Sequence, residues 1–93
     1  MSGDDDFSLL QVRTEIGLSQ AEMARRMGLS LRPYQELEST LRRVRPRHIR
    51  LAELVALEVA VETDNPELAP RDLRRLALKL AIAVLMKQST GPK

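Results

Sequence analysis

Ninety-three residues make a single domain, and an apolar content of 43% is enough for a compact helical core with little surplus. The absence of cysteine excludes disulfides and thiolate metal sites and points to a reducing compartment, here the cytoplasm. A net charge of +2 is too small to name a partner, so its distribution along the chain has to be followed.

Residues 1–6, Met-Ser-Gly-Asp-Asp-Asp, are acidic, lack the pattern of a signal peptide and are expected to form a frayed, disordered tail. Ser8 followed by Gln11 is a helix-start signature, with Phe7 and Val12 spaced as its hydrophobic staple and Gly17 as its stop. Leu9, Val12 and Ile16 give this first helix its buried face. A second start follows at Ser19-Gln-Ala-Glu22. Ser19 can accept from the Glu22 N–H while Glu22 reaches back to the Ser19 N–H. Leu18 and Met23 supply the staple, and Gly28 ends the helix because a residue without Cβ turns left-handed at little cost.

Eleven residues after Ser19, Ser30 caps a third helix, with Leu29 and Tyr34 as its staple. Pro33 is tolerated in the first turn, where its missing N–H has no intrahelical partner to lose. This helix is predicted over residues 31–39. Ala24, Met27, Leu29, Tyr34 and Leu37 supply the seam between the second and third helices. Leu31, Arg32, Gln35, Glu36 and Ser39 fall on one outward stripe. Two short helices joined by a glycine turn, the second with an exposed polar face, suit insertion of that helix into the major groove of DNA. An ordinary αα-hairpin with a solvated face carries the same start and stop signals.

The charge distribution is informative at this point. Up to residue 41 there are four basic and seven acidic residues, and from residue 51 onward six of each. Between them, Arg42, Arg43, Arg45, Arg47 and Arg50 stand with His48 and no acid at all. Arginines placed just after a groove-inserted helix reach the phosphate backbone; a solvated basic loop is the plainer reading. Position favours phosphate contact by Arg42, Arg43, Arg45 and Arg47, with Ser30 and Ser39 completing the expected set beside the third helix.

Pro46 suits the first position of a fourth helix running to Glu62, apolar around most of its circumference and therefore expected to be buried on several sides. A turn over residues 63–70, broken by two prolines, leads to a fifth helix over residues 70–88. Leu73, Leu76, Leu80 and Ala83 form a seam expected to cover the fourth helix. Leu78, Ile82 and Leu85 form a second row, left in water in a monomer and expected to be the interface of a homodimer; a fifth helix folded in completely, giving a monomer, is the alternative. The longest apolar run, residues 80–86, is too short to span a bilayer, so no membrane partner is expected.

The stretch over residues 10–38, with Arg13, Gly17-Leu18-Ser19-Gln20, Glu22-Met23-Ala24, Gly28-Leu29-Ser30 and Leu37-Glu38, resembles the lambda-repressor/Cro-like (XRE-type) helix-turn-helix family, and the likeness extends loosely to residue 61. The resemblance implies an internal ion pair between Arg13 and Glu38, a phosphate contact by Gln20, and base contacts by Leu31, Arg32, Gln35 and Glu36. Three departures stand out. Tyr34 replaces a β-branched aliphatic, so its hydroxyl needs a partner. The family's glycine shortly after the glutamate is replaced by Ser39-Thr40-Leu41. Glu36 puts a negative charge on the stripe meant for DNA, either as an acceptor from a cytosine amino group or as a surface residue paired with Arg32.

Other chemistries find little support. His48 is the lone histidine and sits among arginines that disfavour both its protonation and a metal cation, so neither a metal nor another cofactor is expected. There is no Gly-rich phosphate loop or Ser-His-Asp constellation, and an enzyme is not expected. Aromatic residues number two, Phe7 and Tyr34, which argues against RNA or single-strand binding by stacking. The expected architecture is an all-α five-helix bundle with a helix-turn-helix in its second and third helices. Residues 1–6 form the tail, 7–62 the DNA-binding core, and 63–93 the helix for packing and dimerisation. The expected function is a transcriptional regulator, a repressor binding a palindromic duplex operator as a homodimer. An antitoxin-like or adaptor module and a nonspecific DNA-coating protein are the alternatives.

Overall fold

The computed structural model describes residues 7–90, and the expected tail over residues 1–6 lies outside them. Five α-helices follow one another: α1 (Leu9–Ile16), α2 (Gln20–Met27), α3 (Leu31–Glu38), α4 (Pro46–Glu62) and α5 (Arg71–Thr90). A single 3-10 turn, Pro66–Leu68, stands between α4 and α5, and no strand occurs among the described residues.

Local chemistry sets the ends of the short helices. Ser8 Oγ accepts from the Gln11 N–H at 3.1 Å, and Ser19 Oγ accepts from the Glu22 N–H at the same distance. Gly17 and Gly28 take left-handed φ values of 79° and 77°. Each lets the next residue's N–H bond back five positions, Leu18 to the Arg13 carbonyl and Leu29 to the Ala24 carbonyl. Asp64, at φ 55°, closes α4 the same way, with the Asn65 N–H on the Ala60 carbonyl.

Two of the expected caps form differently. The Glu22 carboxylate does not return to Ser19; it takes the guanidiniums of Arg25 and Arg26, whose charge-assisted bonds are stronger than one from a neutral N–H. Ser30 stands at the N-cap of α3 but makes no side-chain cap bond. The third helical residue, whose N–H such a side chain engages, is Pro33, which has none.

The end of α3 is where glycine is missing, and Thr40 adopts φ 71° there. A β-branched residue in the left-handed region is strained, by about 1–3 kcal/mol. Thr40→Gly should therefore stabilise the fold by about 1 kcal/mol after glycine's extra chain entropy is discounted. A urea titration checks this, with the midpoint expected to rise at unchanged slope.

Helices of eight residues are not stable alone, so α1, α2 and α3 depend on a shared core. Leu9 and Ile16 of α1, Met23, Ala24 and Met27 of α2, and Tyr34 and Leu37 of α3 close around Ala52, Val55, Ala56 and Val59 of α4. Tyr34 and Met23 are wholly buried at its centre. The crossing of α2 with its neighbours is close because Ala24, Ala52 and Ala56 are small.

The fifth helix corrects two expectations. The seam Leu73, Leu76, Leu80 and Ala83 does not lie on α4: Leu73 and Ala77 are half-covered, while Leu76, Leu80 and Ala83 are exposed. Accordingly α4 is buried along one face only, with Leu54 and Val61 exposed on the other. After the turn around Pro66 and Pro70, only the first two turns of α5 are partly covered, and its residues from 78 to 88 are all exposed. The chain extends 55 Å along its longest axis, with a radius of gyration of 15.8 Å. A compact chain of this length would have about 12 Å. No helix among the described residues is long and apolar enough to cross a membrane.

Candidate nucleic-acid interface

The site begins with a buried carboxylate. Glu38, in the last turn of α3, accepts from Arg13 Nε at 2.7 Å and Arg13 Nη2 at 3.1 Å, a two-pronged ion pair that ties α1 to α3. Gln20 Nε2 donates to Oε1 and the Tyr34 hydroxyl to Oε2, both at 2.7 Å. The ring that departs from the family pattern thus has its polar partner. Arg13 Nη1 also donates to the Leu18 carbonyl at 3.0 Å, holding the α1–α2 turn. Burial pushes the Glu38 carboxyl upward, but the bonds from Arg13, Gln20 and Tyr34 outweigh it and hold it at about 2. Burial, then the Glu38 bond, raises the Tyr34 hydroxyl.

This cluster presets the outer face of α3. Gln20 is anchored on Glu38, and its Oε1 accepts from Gln35 Nε2 at 3.1 Å. Gln20, Arg32, Gln35, Glu36, Ser39 and Leu41 line a groove of about 370 Å³. Leu31, Arg32, Gln35 and Ser39 are exposed, the Arg32 side chain to 89%. Glu36 is only partly exposed. Its carboxylate takes Arg42 at 2.7 Å and lies 3.7 Å from Arg32, and the Arg42 N–H bonds the Glu36 carbonyl at 3.1 Å. The hydrogen bond from Arg42 lowers the Glu36 pKa most. Glu36 and Arg42, assigned to base and phosphate contact respectively, thus neutralise each other in the free chain.

The remaining arginines stand differently. Arg43, Arg45 and Arg47 have no acidic partner among the described residues. With Arg42 and His48 they line a pocket of about 360 Å³ beside the N-terminus of α4, walled on the α3 side by Pro33 and Leu37. Ser30 is exposed next to this surface. Unpaired guanidiniums beside a helix N-terminus make a strongly anion-attracting concavity.

His48 is part of the scaffold. It is 6% exposed, and its Nδ1 accepts the Arg45 backbone N–H at 2.9 Å, tying down the chain before α4. An accepting Nδ1 means the neutral ring with its proton on Nε2. Burial first, and then the charges of Arg47, Arg45 and Arg42, lower its pKa below the ordinary 6.5. Its contribution to stability is therefore complete above pH 6.5 and is lost as the pH falls through the lowered folded-state value. As His48 is the chain's one histidine, its ring NMR signals are unambiguous, and their midpoint is expected below 6.5. A midpoint at or above 6.5 would exclude this role.

Sequence reasoning missed Arg26. Its guanidinium makes two 2.7 Å bonds to Glu62 and one of 2.9 Å to Glu22, joining α2 to the end of α4. The Glu22–Arg26 spacing was visible, whereas the Glu62 partner lies 36 residues away and carries no local signal. Leu78, Ile82 and Leu85, the expected dimer row, are all exposed, on a part of α5 remote from the α3 groove. Among the described residues no cluster of three acidic or histidine side chains is placed to hold a metal ion. Comparison with protein-family models, curated proteins and solved structures finds no match for the chain.

Proposed function

We propose that the chain is a sequence-specific duplex DNA-binding transcriptional regulator, with α2 and α3 as its helix-turn-helix. On this reading α2 lies across the backbone and α3 enters the major groove with Leu31, Arg32, Gln35 and Glu36 toward base edges. Arg43, Arg45 and Arg47 grip phosphates, and Arg42 joins them once Glu36 turns to a base. The protein acts in the cytoplasm as a homodimer on a palindromic operator and represses by occupying DNA, without cofactor, membrane or RNA partner. The observation that carries the reading is the juxtaposition of an exposed polar stripe on α3 with arginines that lack counter-charges.

Selection from a random duplex pool, followed by salt titrations on the selected and a scrambled duplex, tests it. A specific reader prefers its site by about 10³ or more, a DNA-coating protein shows no preference, and an antitoxin-like or adaptor module binds neither. That last reading draws on Glu36, which neutralises a cation on the proposed DNA face. Arg32→Ala is expected to weaken the selected site by about 1–3 kcal/mol and relax selection at one base pair. Equal loss on selected and scrambled DNA would remove Arg32 from the base-reading set.

A further inference from the structure

The apolar surface left bare by α5 and α4 is larger than a single chain needs. Leu76, Leu78, Leu80, Ile82, Val84 and Leu85 of α5 are between 45% and 66% exposed, and they form two apolar rows on roughly opposite sides of the helix. On α4, Leu54 and Val61 remain exposed and, with half-covered Leu57, form a stripe at helical 3-4 spacing. At the foot of this stripe a pocket of about 320 Å³ opens between α4 and α5, walled mainly by Leu57, Ala60, Val61, Ala69 and Ala77, with Asp64 and Arg74 also on its lining. Two exposed rows of large aliphatics on one helix are a strong drive to find cover.

We infer that the cover is α5 of a second copy of this chain, lying along the outer Leu54, Leu57 and Val61 stripe of α4, with the exchange made reciprocally. Charge chooses this occupant. Residues 51–70 carry Glu53, Glu58, Glu62, Asp64 and Glu67 and no base. Arg50 pairs with Glu53 and Arg26 with Glu58 and Glu62, two cations that leave this surface an acidic excess. Residues 71–90, by contrast, carry Arg71, Arg74, Arg75, Lys79 and Lys87 against Asp72 alone. Pairing α5 with another α5 sets like charges together; laying it across the partner's α4 sets base against acid. The area agrees. At the 60–120 Å² per large aliphatic implied by its transfer energy, the exposed parts of these side chains hold roughly 300–600 Å² of apolar surface per protomer. A stable homodimer needs about 800 Å² per partner, roughly two-thirds of it apolar. The arrangement deepens the homodimer of the proposed function, extending its interface from one row on α5 to the outer stripe of α4.

The test uses the full chain without DNA, so its failure leaves base reading untouched, and failure of base reading leaves it untouched. Sedimentation equilibrium is expected to show a dimer. Val61→Glu, a change at a position 74% exposed in the single chain, is expected to raise the dissociation constant at least ~30-fold while circular dichroism stays helical. Because the chain lacks cysteine, Val61→Cys and Leu80→Cys proteins can be mixed and oxidised, and the mixed 61–80 disulfide is the expected product. A monomer at 100 µM, undiminished dimerisation of Val61→Glu, or exclusive 80–80 disulfides would each overturn the arrangement.

Discussion

Replacing Glu38 by alanine is expected to destabilise the fold by about 3–5 kcal/mol, the size expected when one member of a buried ion pair is removed. Arg13 would keep its charge with its side chain 16% exposed, and the Tyr34 hydroxyl would lose its acceptor at the centre of the core. Small domains hold about 5–15 kcal/mol in all, so a change of this size brings the variant near its unfolding midpoint at modest denaturant. Adding Arg13→Met should recover much of the loss, because a buried pair exchanged for apolar groups is close to neutral. Urea titrations of the single and double variants measure both steps. A loss under about 1 kcal/mol would mean that α1 and α3 are held by packing alone. The acid limb offers a second check. Glu38 lies at about 2 instead of 4.5, so its stabilisation is complete above pH 4.5 and fades as the pH falls toward 2. That portion of the limb should be missing in Glu38→Ala.

The second large effect concerns DNA. With Arg43, Arg45 and Arg47 all changed to alanine, the slope of log affinity against log salt should shrink by about three, near 0.9 for each phosphate no longer neutralised. The loss should be alike on selected and scrambled duplexes, since phosphate binding carries no sequence information. Arg42→Ala should reduce the slope by less than one such step, because Glu36 already holds that guanidinium at 2.7 Å. An unchanged slope in the triple variant would assign the arginine segment to a solvated loop.

The order of elements, and most of their limits, follow from features that act within one or two turns. Ser8 and Ser19 cap, Gly17 and Gly28 stop, and Pro46 starts a helix whose end at Glu62 is also visible in the residues. Each rests on a backbone group that has no partner at a helix end, so the residue type alone carries the information. The same locality explains the failures. Ser30 has the right side chain, but its donor is removed by Pro33; Glu22 has the right carboxylate, but two guanidiniums compete for it.

What the residues determined unaided is therefore a chain of five helices with an outward stripe on the third and an unbalanced run of arginines after it. Tertiary structure alone decided that Arg26 reaches Glu62, that Arg42 turns back onto Glu36, and that Thr40 takes a left-handed conformation without glycine. It also decided that α5 leaves the outer face of α4, with Leu54 and Val61, uncovered, against the pattern of its leucines. A hydrophobic period states which side of a helix seeks cover. The turn at Pro66–Leu68 sets where that side points, and direction in space is a property of the assembled chain.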